Sequence, residues 1–292
     1  MDETMVADEE QACLAAAAPV RTAVDGVEVV GSLSPSRAAE FLSCPLLFRF
    51  RTVDRLPEPV SAAAVRGTVV HRVLETLFDL PATERTPERA AGLVGPAWQH
   101  VLAAEPEVEA VTVDTGLEAW LDSCRESLAG YFVLEDPTRL EPAQREAYVE
   151  TVLSSRLLLR GIVDRLDITP DGDIRVVDYK TGRAPAVGYE ARALFQMRFY
   201  ALVIWRTRGV IPRVLQLVYL GSGEVLRDRP DEQDLLATER KVQAVWDAMA
   251  TAQATGDWQP RRSALCGWCA HRELCPEWGG TPPPLPTGSP TG

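Results

Sequence analysis

The sequence predicts an α/β fold, with a central mixed sheet flanked by helices, and three observations predict it. Apolar residues recur at helical spacing across most of residues 34–133. From residue 148 the period changes to short β-branched runs separated by a turn signal. Beyond those runs, helical and strand-like segments alternate, as they do when helices cross over a sheet. The chain has 292 residues, 46% of them hydrophobic, enough for the core of one large domain or two small ones.

The elements follow in order. Ser34 reads as an N-cap with Pro35 at the first helical position of "SPSRAAEFLSC", a helix ending near Cys44-Pro45. A second helix, over about 62–79, sets Val69, Val73, Leu74 and Leu77 on one face. Residues 87–133 read as helix broken at Pro96 and Pro106. "YVETVLSS", "LLLRGIVDRLDI" and "IRVVDYK" read as strands, and "TPDGD" (169–173) as the turn between the last two. A helix is expected over 189–209, ending at Gly209, then strands over 213–220 and 224–229. The last helix spans 231–256, with Leu235, Val242, Val245, Trp246 and Met249 inward. The acidic, Ala-rich segment 1–30 is expected to be flexible, and the Pro/Gly-rich tail 279–292 disordered, around one folded body at 31–278.

No apolar run approaches the roughly 20 residues that span a bilayer. The run "CLAAAAPV" (13–20) follows acidic residues rather than a basic n-region, which argues against a secretory leader. A cytoplasmic location is therefore expected. The net charge of −12 argues mildly against a nucleic-acid partner. Basic residues nevertheless cluster in "FRFRTVDR" (48–55) and "PRRS" (260–263), where a groove could still be positive.

The stretch "DIRVVDYKTG" (173–182) carries the first chemical signal. Residues i and i+2 of a strand share a face, so Asp178 and Lys180 point the same way. A turn centred on Asp171 would set Asp164 of "GIVDRLD" across from Asp178; a two-residue turn at Asp171-Gly172 would set it across from Tyr179. A joint site therefore demands a three-residue loop or a bulge. Two close carboxylates repel unless a cation bridges them, and hard oxygen ligands suit Mg²⁺ or Mn²⁺. A neighbouring Lys can then position or help deprotonate a water. Alone, an Asp-x-Lys pair is most often a surface ion pair; the preceding Asp and turn make the two readings about even.

Three further residues join the candidates. His71 falls off the apolar face of its helix; a surface His is the ordinary reading, an imidazole ligand the sharper one. Gly67, one turn earlier, would leave room for close approach, and Glu75, one turn later, reads as solvated. Gln196 and Tyr200, at i and i+4, share a helix face and could contact phosphate or base, although such pairs are usually amphipathic filler.

Six cysteines occur, three of them in "CGWCAHRELC" as Cys266, Cys269 and Cys275. Thiolates so spaced can wrap one metal centre. The fourth ligand is either His271, for a Cys₃His zinc site, or the distant Cys44, for a [4Fe–4S] cluster. Cys124 reads as a small core residue.

Taken together these residues resemble the PD-(D/E)XK exonucleases of the RecB type, and more narrowly their iron–sulfur branch, which includes the AddB nuclease domain and CRISPR-associated single-strand exonucleases. The motifs stand in the family's order: "LSPSRAAEFLSCPLLFRFR" with Cys44, "RGTVVHRVLE" with His71, "GIVDRLD" with Asp164, "VVDYKTG" with Asp178 and Lys180, "QMRFY" with Gln196 and Tyr200, then "CGWCAHRELC". Each is weak alone; six in order over residues 32–278 are not. The resemblance implies a restriction-endonuclease-like core whose N- and C-terminal segments are joined by a [4Fe–4S] cluster on Cys44, Cys266, Cys269 and Cys275. It implies Mg²⁺ or Mn²⁺ held by His71, Asp164, Asp178 and the Tyr179 carbonyl, Lys180 as catalytic lysine, and Gln196 and Tyr200 near DNA. The expected substrate is single-stranded DNA or DNA ends in repair or recombination. No G-x-x-x-x-G-K-[ST] loop occurs, so a separate helicase or repair protein is the implied partner. A non-catalytic DNA-binding or scaffolding module, an RNA-directed nuclease and a redox sensor are the competing classes. The intact Asp/Asp/Lys set argues against the module. Arg49, Arg51, Arg261 and Arg262 are candidate phosphate contacts; Trp268 reads as packing before stacking platform.

Overall fold

A computed structural model of the chain describes residues 23–24, 26–186 and 190–286. A two-strand ribbon, β1 (Ala23–Val24) and β2 (Val27–Glu28), lies within the segment expected to be flexible. β3 (Gly31–Leu33) leads into α1 (Pro35–Ser43), which is capped by Ser34 with Pro35 at its start, as the sequence indicates. The chain continues through α2 (Pro45–Phe48) and a π-helical turn, Arg49–Val53. Three long helices follow: α3 (Ala62–Leu77), α4 (Pro87–Ala104) and α5 (Leu117–Leu134). The expected break at Pro96 is absent, for α4 runs through it; the break at Pro106 is real. β4 (Gln144–Val152) begins four residues before the first β-branched signal, followed by β5 (Leu157–Ile168) and β6 (Ile174–Lys180). Then come α6 (Ala191–Arg208), β7 (Val214–Tyr219), β8 (Glu224–Asp228) and α7 (Glu232–Thr255). Gly209 and Gly256 close α6 and α7 in left-handed conformations. The helix start expected at 189 lies outside the described residues.

The main sheet runs β3-β5-β6-β7-β8, with β4 on the other edge of β5. β3 with β5 and β6 with β7 are parallel; β4 with β5, β5 with β6 and β7 with β8 are antiparallel. This is the mixed sheet flanked by helices that the sequence predicts. Each face carries its own core. One holds α1, α6 and α7, through residues such as Phe41, Phe199 and Met249. The other holds α3, α4 and α5, through Val73, Trp98 and Tyr131, with Cys124 fully buried among them as expected. Charges that would solvate in isolation are paired where the layers meet: Arg198 reaches Asp228 at 2.7 Å and Asp234 at 2.8 Å.

The ladder between β5 and β6 is short, running from Ile168↔Ile174 to Arg165↔Val177. At the other end of β5, β3 occupies the same edge through Leu157–Leu159. The strands therefore fork at Asp164 and Asp178. Gly161 faces this opening: a Cβ there would lie 2.7 Å from Tyr200 Cε1. Gly67 carries no such demand, since a Cβ there would meet only Thr181 Oγ1 at 3.8 Å. Arg49 donates to the Pro283 carbonyl, and Leu285 packs on the core beside α7. Gly161→Ala should force the Tyr200 ring outward and cost about 1–3 kcal/mol, read as a lowered urea midpoint; Gly67→Ala should leave that midpoint in place.

Candidate active site

The turn geometry decides the site. Thr169 N–H donates to the Asp173 carbonyl at 3.0 Å, leaving Pro170, Asp171 and Gly172 as the loop, with Gly172 at φ +88°. Extending the Arg165↔Val177 register by one step sets Asp164 beside Asp178. Because the β5–β6 ladder stops there, the Tyr179 N–H and C=O on the β5 side meet side chains in place of a strand. Asp164 Oδ2 accepts from Tyr179 N–H at 2.6 Å, and Asp164 Oδ1 lies 3.6 Å from His71 Nδ1 on α3. His71 Nε2 in turn lies 2.9 Å from the Tyr179 carbonyl oxygen. The main-chain N–H and C=O of one residue of β6, Tyr179, thus tie two of the expected ligands together.

Asp178 faces the other helical layer. Its Oδ2 pairs with Lys180 Nζ at 2.6 Å, and its Oδ1 accepts from Gln196 Nε2 at 3.0 Å. Lys180 also donates to Gln196 Oε1 at 3.1 Å, and Gln196 reaches the Tyr200 hydroxyl at 3.3 Å. The i, i+4 pair on α6 is therefore part of the constellation and no filler. The sequence-predicted residues His71, Asp164, Asp178, Tyr179, Lys180, Gln196 and Tyr200 are brought together by contacts that join α3, β5, β6 and α6.

Two features were not read from the sequence. Glu146 of β4 stands opposite Asp164 in the β4–β5 register, between the pairs Arg145↔Arg165 and Ala147↔Val163. Its backbone has φ +42°, rare for a side chain of this kind and a mark of strain that surrounding structure must sustain. Ligand atoms of His71, Glu146 and Asp164 all lie within 4.8 Å of one another, a donor set of one imidazole and two carboxylates. Glu146 sits in "QREA", with no β-branched residue to announce a strand, so period alone could not find it. The second feature is Arg165, 1% exposed beneath Tyr179. It pairs with Glu135 at 2.7 and 2.9 Å, contacts Asp167 at 3.1 Å and donates to the Tyr179 hydroxyl. A buried ion pair so fully hydrogen-bonded fixes geometry even where its net stability is small. The one signal available was its position directly after Asp164 in "GIVDRLD".

Charge at the fork is unbalanced. Burial, and then the charge of Asp164, push the Asp178 carboxyl up to about 6, against the pull of Lys180 and His71. Burial and Asp164 likewise push Glu146 up to about 7. Burial works against the His71 cation, but Asp164 and Asp178 outweigh it and raise its pKa. Lys180 loses to burial and gains more from Asp178, so it stays charged. A divalent cation would relieve this repulsion, and the carboxylates are the hard oxygen donors such an ion takes.

Cys44, Cys266, Cys269 and Cys275 line a common pocket, with Leu46, Phe50 and Trp278 in its wall and about 550 Å³ of empty space before it. None is in a disulfide. The thiol pKa of Cys275 is raised by burial and by the three other cysteines. Among the described residues no three of these sulfurs lie within 4.8 Å of one another. His271, the alternative fourth ligand, is buried with its Nε2 2.7 Å from Glu58 Oε1 and is absent from the pocket wall. Three of the four arginines expected as phosphate contacts are engaged within the protein. Arg49 is buried against Asp54 at 2.9 Å, and Arg51 grips Glu58 and Glu40. Arg261 donates to the Leu42 carbonyl. Trp268, read as packing, is 90% exposed.

Fold and site together define a nuclease of the PD-(D/E)XK type. The family model of the PD-(D/E)XK nuclease superfamily matches residues 32–276, and the chain belongs to that superfamily. It is 26% identical over 208 residues to the Gene 69 protein of Mycobacterium phage D29, covering 61% of this chain and 70% of the phage protein. Its fold is similar to the crystal structure of a Eubacterium rectale protein provisionally assigned as an exonuclease, with a TM-score of 0.51 and 14% identity over 84% of this chain and 89% of that one. As a nuclease it takes nucleic acid as substrate. No helix among the described residues is long and apolar enough to cross a membrane.

The raised carboxyls and the raised imidazole have one consequence for stability. A group whose folded-state pKa lies above its unfolded value binds protons on folding, so its ionic or deprotonated form opposes the fold. With chelator present, the melting temperature should therefore rise as pH falls through about 7 and then about 6, the values of Glu146 and Asp178. Glu146→Gln should flatten the upper part of that rise in a differential scanning calorimetry series.

Proposed function

We propose that this chain is a Mg²⁺- or Mn²⁺-dependent DNA exonuclease that hydrolyses phosphodiester bonds on single strands or DNA ends. The observation that carries this reading is the fork, where Asp164 and Asp178 meet with His71 and Lys180 at their sides. His71, Asp164, Asp178 and the Tyr179 carbonyl would hold the cation, with Glu146 close enough to share it. When bound, the ion supplies Lewis-acid charge for the phosphoryl oxygens and lowers the pKa of a coordinated water. The remaining work falls to the protein. Asp164 and His71 are locked by the Tyr179 peptide, so the ligand positions exist before substrate arrives. Lys180 is a cation held by Asp178 and Gln196, and it would orient the attacking water and offset charge developing on the phosphate. Gln196 and Tyr200 brace this pair from α6.

Within the superfamily we place the chain in the iron–sulfur branch, with Cys44, Cys266, Cys269 and Cys275 as ligands of a [4Fe–4S] cluster. What supports this is that the four cysteines line one pocket. Bound there, the group would staple the N-terminal helices to the C-terminal segment, and closing so long a loop limits the unfolded chain. The proposal extends to a role in DNA repair or recombination beside a separate helicase or repair protein.

End-labelled single- and double-stranded DNA, and RNA of the same sequence, would be digested with Mn²⁺. Wild type should degrade DNA from its ends, and Asp178→Ala and Lys180→Ala should each lower the rate by at least about 100-fold. Equal rates for wild type and Asp178→Ala would refute the enzyme reading. For the cysteines, anaerobically purified protein should carry iron and sulfide in equal amounts and a visible absorption that Cys269→Ser removes. Stoichiometric zinc in a colourless protein would overturn that assignment.

A further inference from the structure

The fork opens to solvent on the side of Lys180, whose side chain is a third exposed while its partner Asp178 is buried. The mouth therefore lies at the C-terminal end of β6, where the chain turns toward α6. Two arginines stand there. Arg192 precedes Gln196 by one turn of α6, so it shares the face that reaches Asp178 and Lys180 and lies about 6 Å further along the axis. Arg183 stands on the loop that leaves β6 just after Lys180. That loop is held in place. Leu220 N–H donates to the Lys180 carbonyl at 2.8 Å, Gly221 N–H to the Gly182 carbonyl at 3.2 Å, and Ala184 N–H to Ser222 Oγ at 3.1 Å. A Cβ on Gly221 would lie 2.6 Å from the Thr181 carbonyl oxygen, so the loop and the β7–β8 turn meet closely there. Arg183 is thus carried between two anchored residues, on a fixed scaffold. Both arginine side chains are exposed, and neither makes a hydrogen bond or ion pair among the described residues. Their counterparts are engaged. On α6 itself Arg198 holds Asp228 and Asp234, Arg206 holds Glu239, and Arg208 donates to Gln144. Around the fork Arg145 holds Asp79 and Arg165 holds Glu135.

We propose that Arg183 and Arg192 form a phosphate clamp at the mouth of the fork, holding a backbone or terminal phosphate next to the scissile one. The proposal rests on the nuclease reading and deepens it by naming how the strand is gripped. A chain of net charge −12 attracts phosphate weakly as a whole, so a strand has to be held by cations placed locally. A guanidinium meets a phosphate with two parallel N–H donors and keeps its charge at any working pH. One helical turn separates Arg192 from Gln196, which itself touches Lys180, so the clamp lies beside the scissile phosphate and not on it. Contacts to phosphate fix the register of a strand without reading its bases, which suits digestion of any sequence.

The test is binding of a 3′-labelled single-stranded oligonucleotide, with a 5′-phosphate or a 5′-hydroxyl, read by fluorescence anisotropy with Ca²⁺ and no turnover. Arg183→Ala and Arg192→Ala should each raise Kd about 10-fold. Each should also flatten the dependence of log Kd on log salt by about 0.7, the share of one phosphate contact on a single strand. Arg192→Lys keeps the charge and loses the fork of donors, so it should keep the slope and recover part of the affinity. Arg229→Ala is the control. It removes the same charge from an exposed side chain just past β8, where Asp228 pairs with Leu215 at the opposite end of the sheet from Lys180. Kd and slope should stay at the wild-type values there. All three side chains are exposed, so melting curves of the variants should overlay that of wild type. Loss on both oligonucleotides assigns a backbone phosphate to the clamp, and loss on the phosphorylated one alone a terminal phosphate. Wild-type Kd and slope in both alanine variants, or an equal loss in Arg229→Ala, would overturn the clamp. Digestion with Mn²⁺ separates this result from the nuclease reading. An active wild type whose binding ignores both arginines keeps the nuclease and removes the clamp. An inactive wild type whose binding needs them keeps the clamp and removes the enzyme, and failure of both removes both.

Discussion

The site depends on where one β-ladder stops. β5 and β6 pair only as far as Arg165↔Val177, and the next step, which would pair Asp164 with Asp178, opens instead into a fork. A continued ladder would have committed the Tyr179 N–H to a strand carbonyl and pressed two carboxylates together without room for anything between them. The fork frees that N–H for Asp164 and that carbonyl for His71. It also gives each helical layer access to the same point, α3 from one face and α6 from the other. Backbone groups cannot be left unpaired in a buried place, so the opening is possible only because side chains satisfy what the ladder no longer does.

A fork so built concentrates like charge, and the rest of the neighbourhood is arranged to hold it in place. Lys180 and Gln196 engage both oxygens of Asp178, and the Tyr179 peptide engages Asp164. From beneath, Arg165 and Glu135 clamp the Tyr179 ring, so the peptide between these two carboxylates has little freedom to relax. Gln216 adds to the same clamp by donating to Glu135 at 2.9 Å. The carboxylates remain partly uncompensated, and their raised pKa values express it. Preorganised repulsion of this kind is tolerated where a cation is meant to enter.

Much of this was legible because it follows from periodicity and turn chemistry. The turn signal between two β-branched runs was plain but left two registers open, and the three-residue loop Pro170-Asp171-Gly172 selects the one that brings Asp164 to Asp178. Caps at Ser34 and Gly209 were equally plain. The misses have a common cause, which is that tertiary context overrides local propensity. Pro96 is accommodated inside α4 because that helix is packed between α3 and α5. Arg49 and Arg51 looked like surface bases, but the chain folds Asp54 and Glu58, a few residues on, back against them. Glu146 lies in a polar stretch whose strand exists only because β5 is there to pair with it. His71 could be placed off its apolar face from a helical wheel, yet its partner across the fold came from resemblance and not from spacing.

The two ends of the body are joined before any cofactor is considered. Phe41 and Phe48 meet Trp258 at ring-centroid distances of 6.4 and 6.1 Å, which binds α1 and α2 to the segment after α7. Glu58 receives Arg51 from one side and His271 from the other, coupling the π-helical turn to the cysteine-bearing loop. Arg261 donates its backbone N–H to Cys44 Sγ at 3.4 Å and its guanidinium to the Leu42 carbonyl. The four cysteines are thus carried on segments already held in contact by aromatic packing and ion pairs. A group bound among them would therefore reinforce an existing junction, not create one. Its loss should loosen the junction between α1 and the C-terminal segment while leaving the fork, which is built by β5, β6, α3 and α6, without a direct link to it.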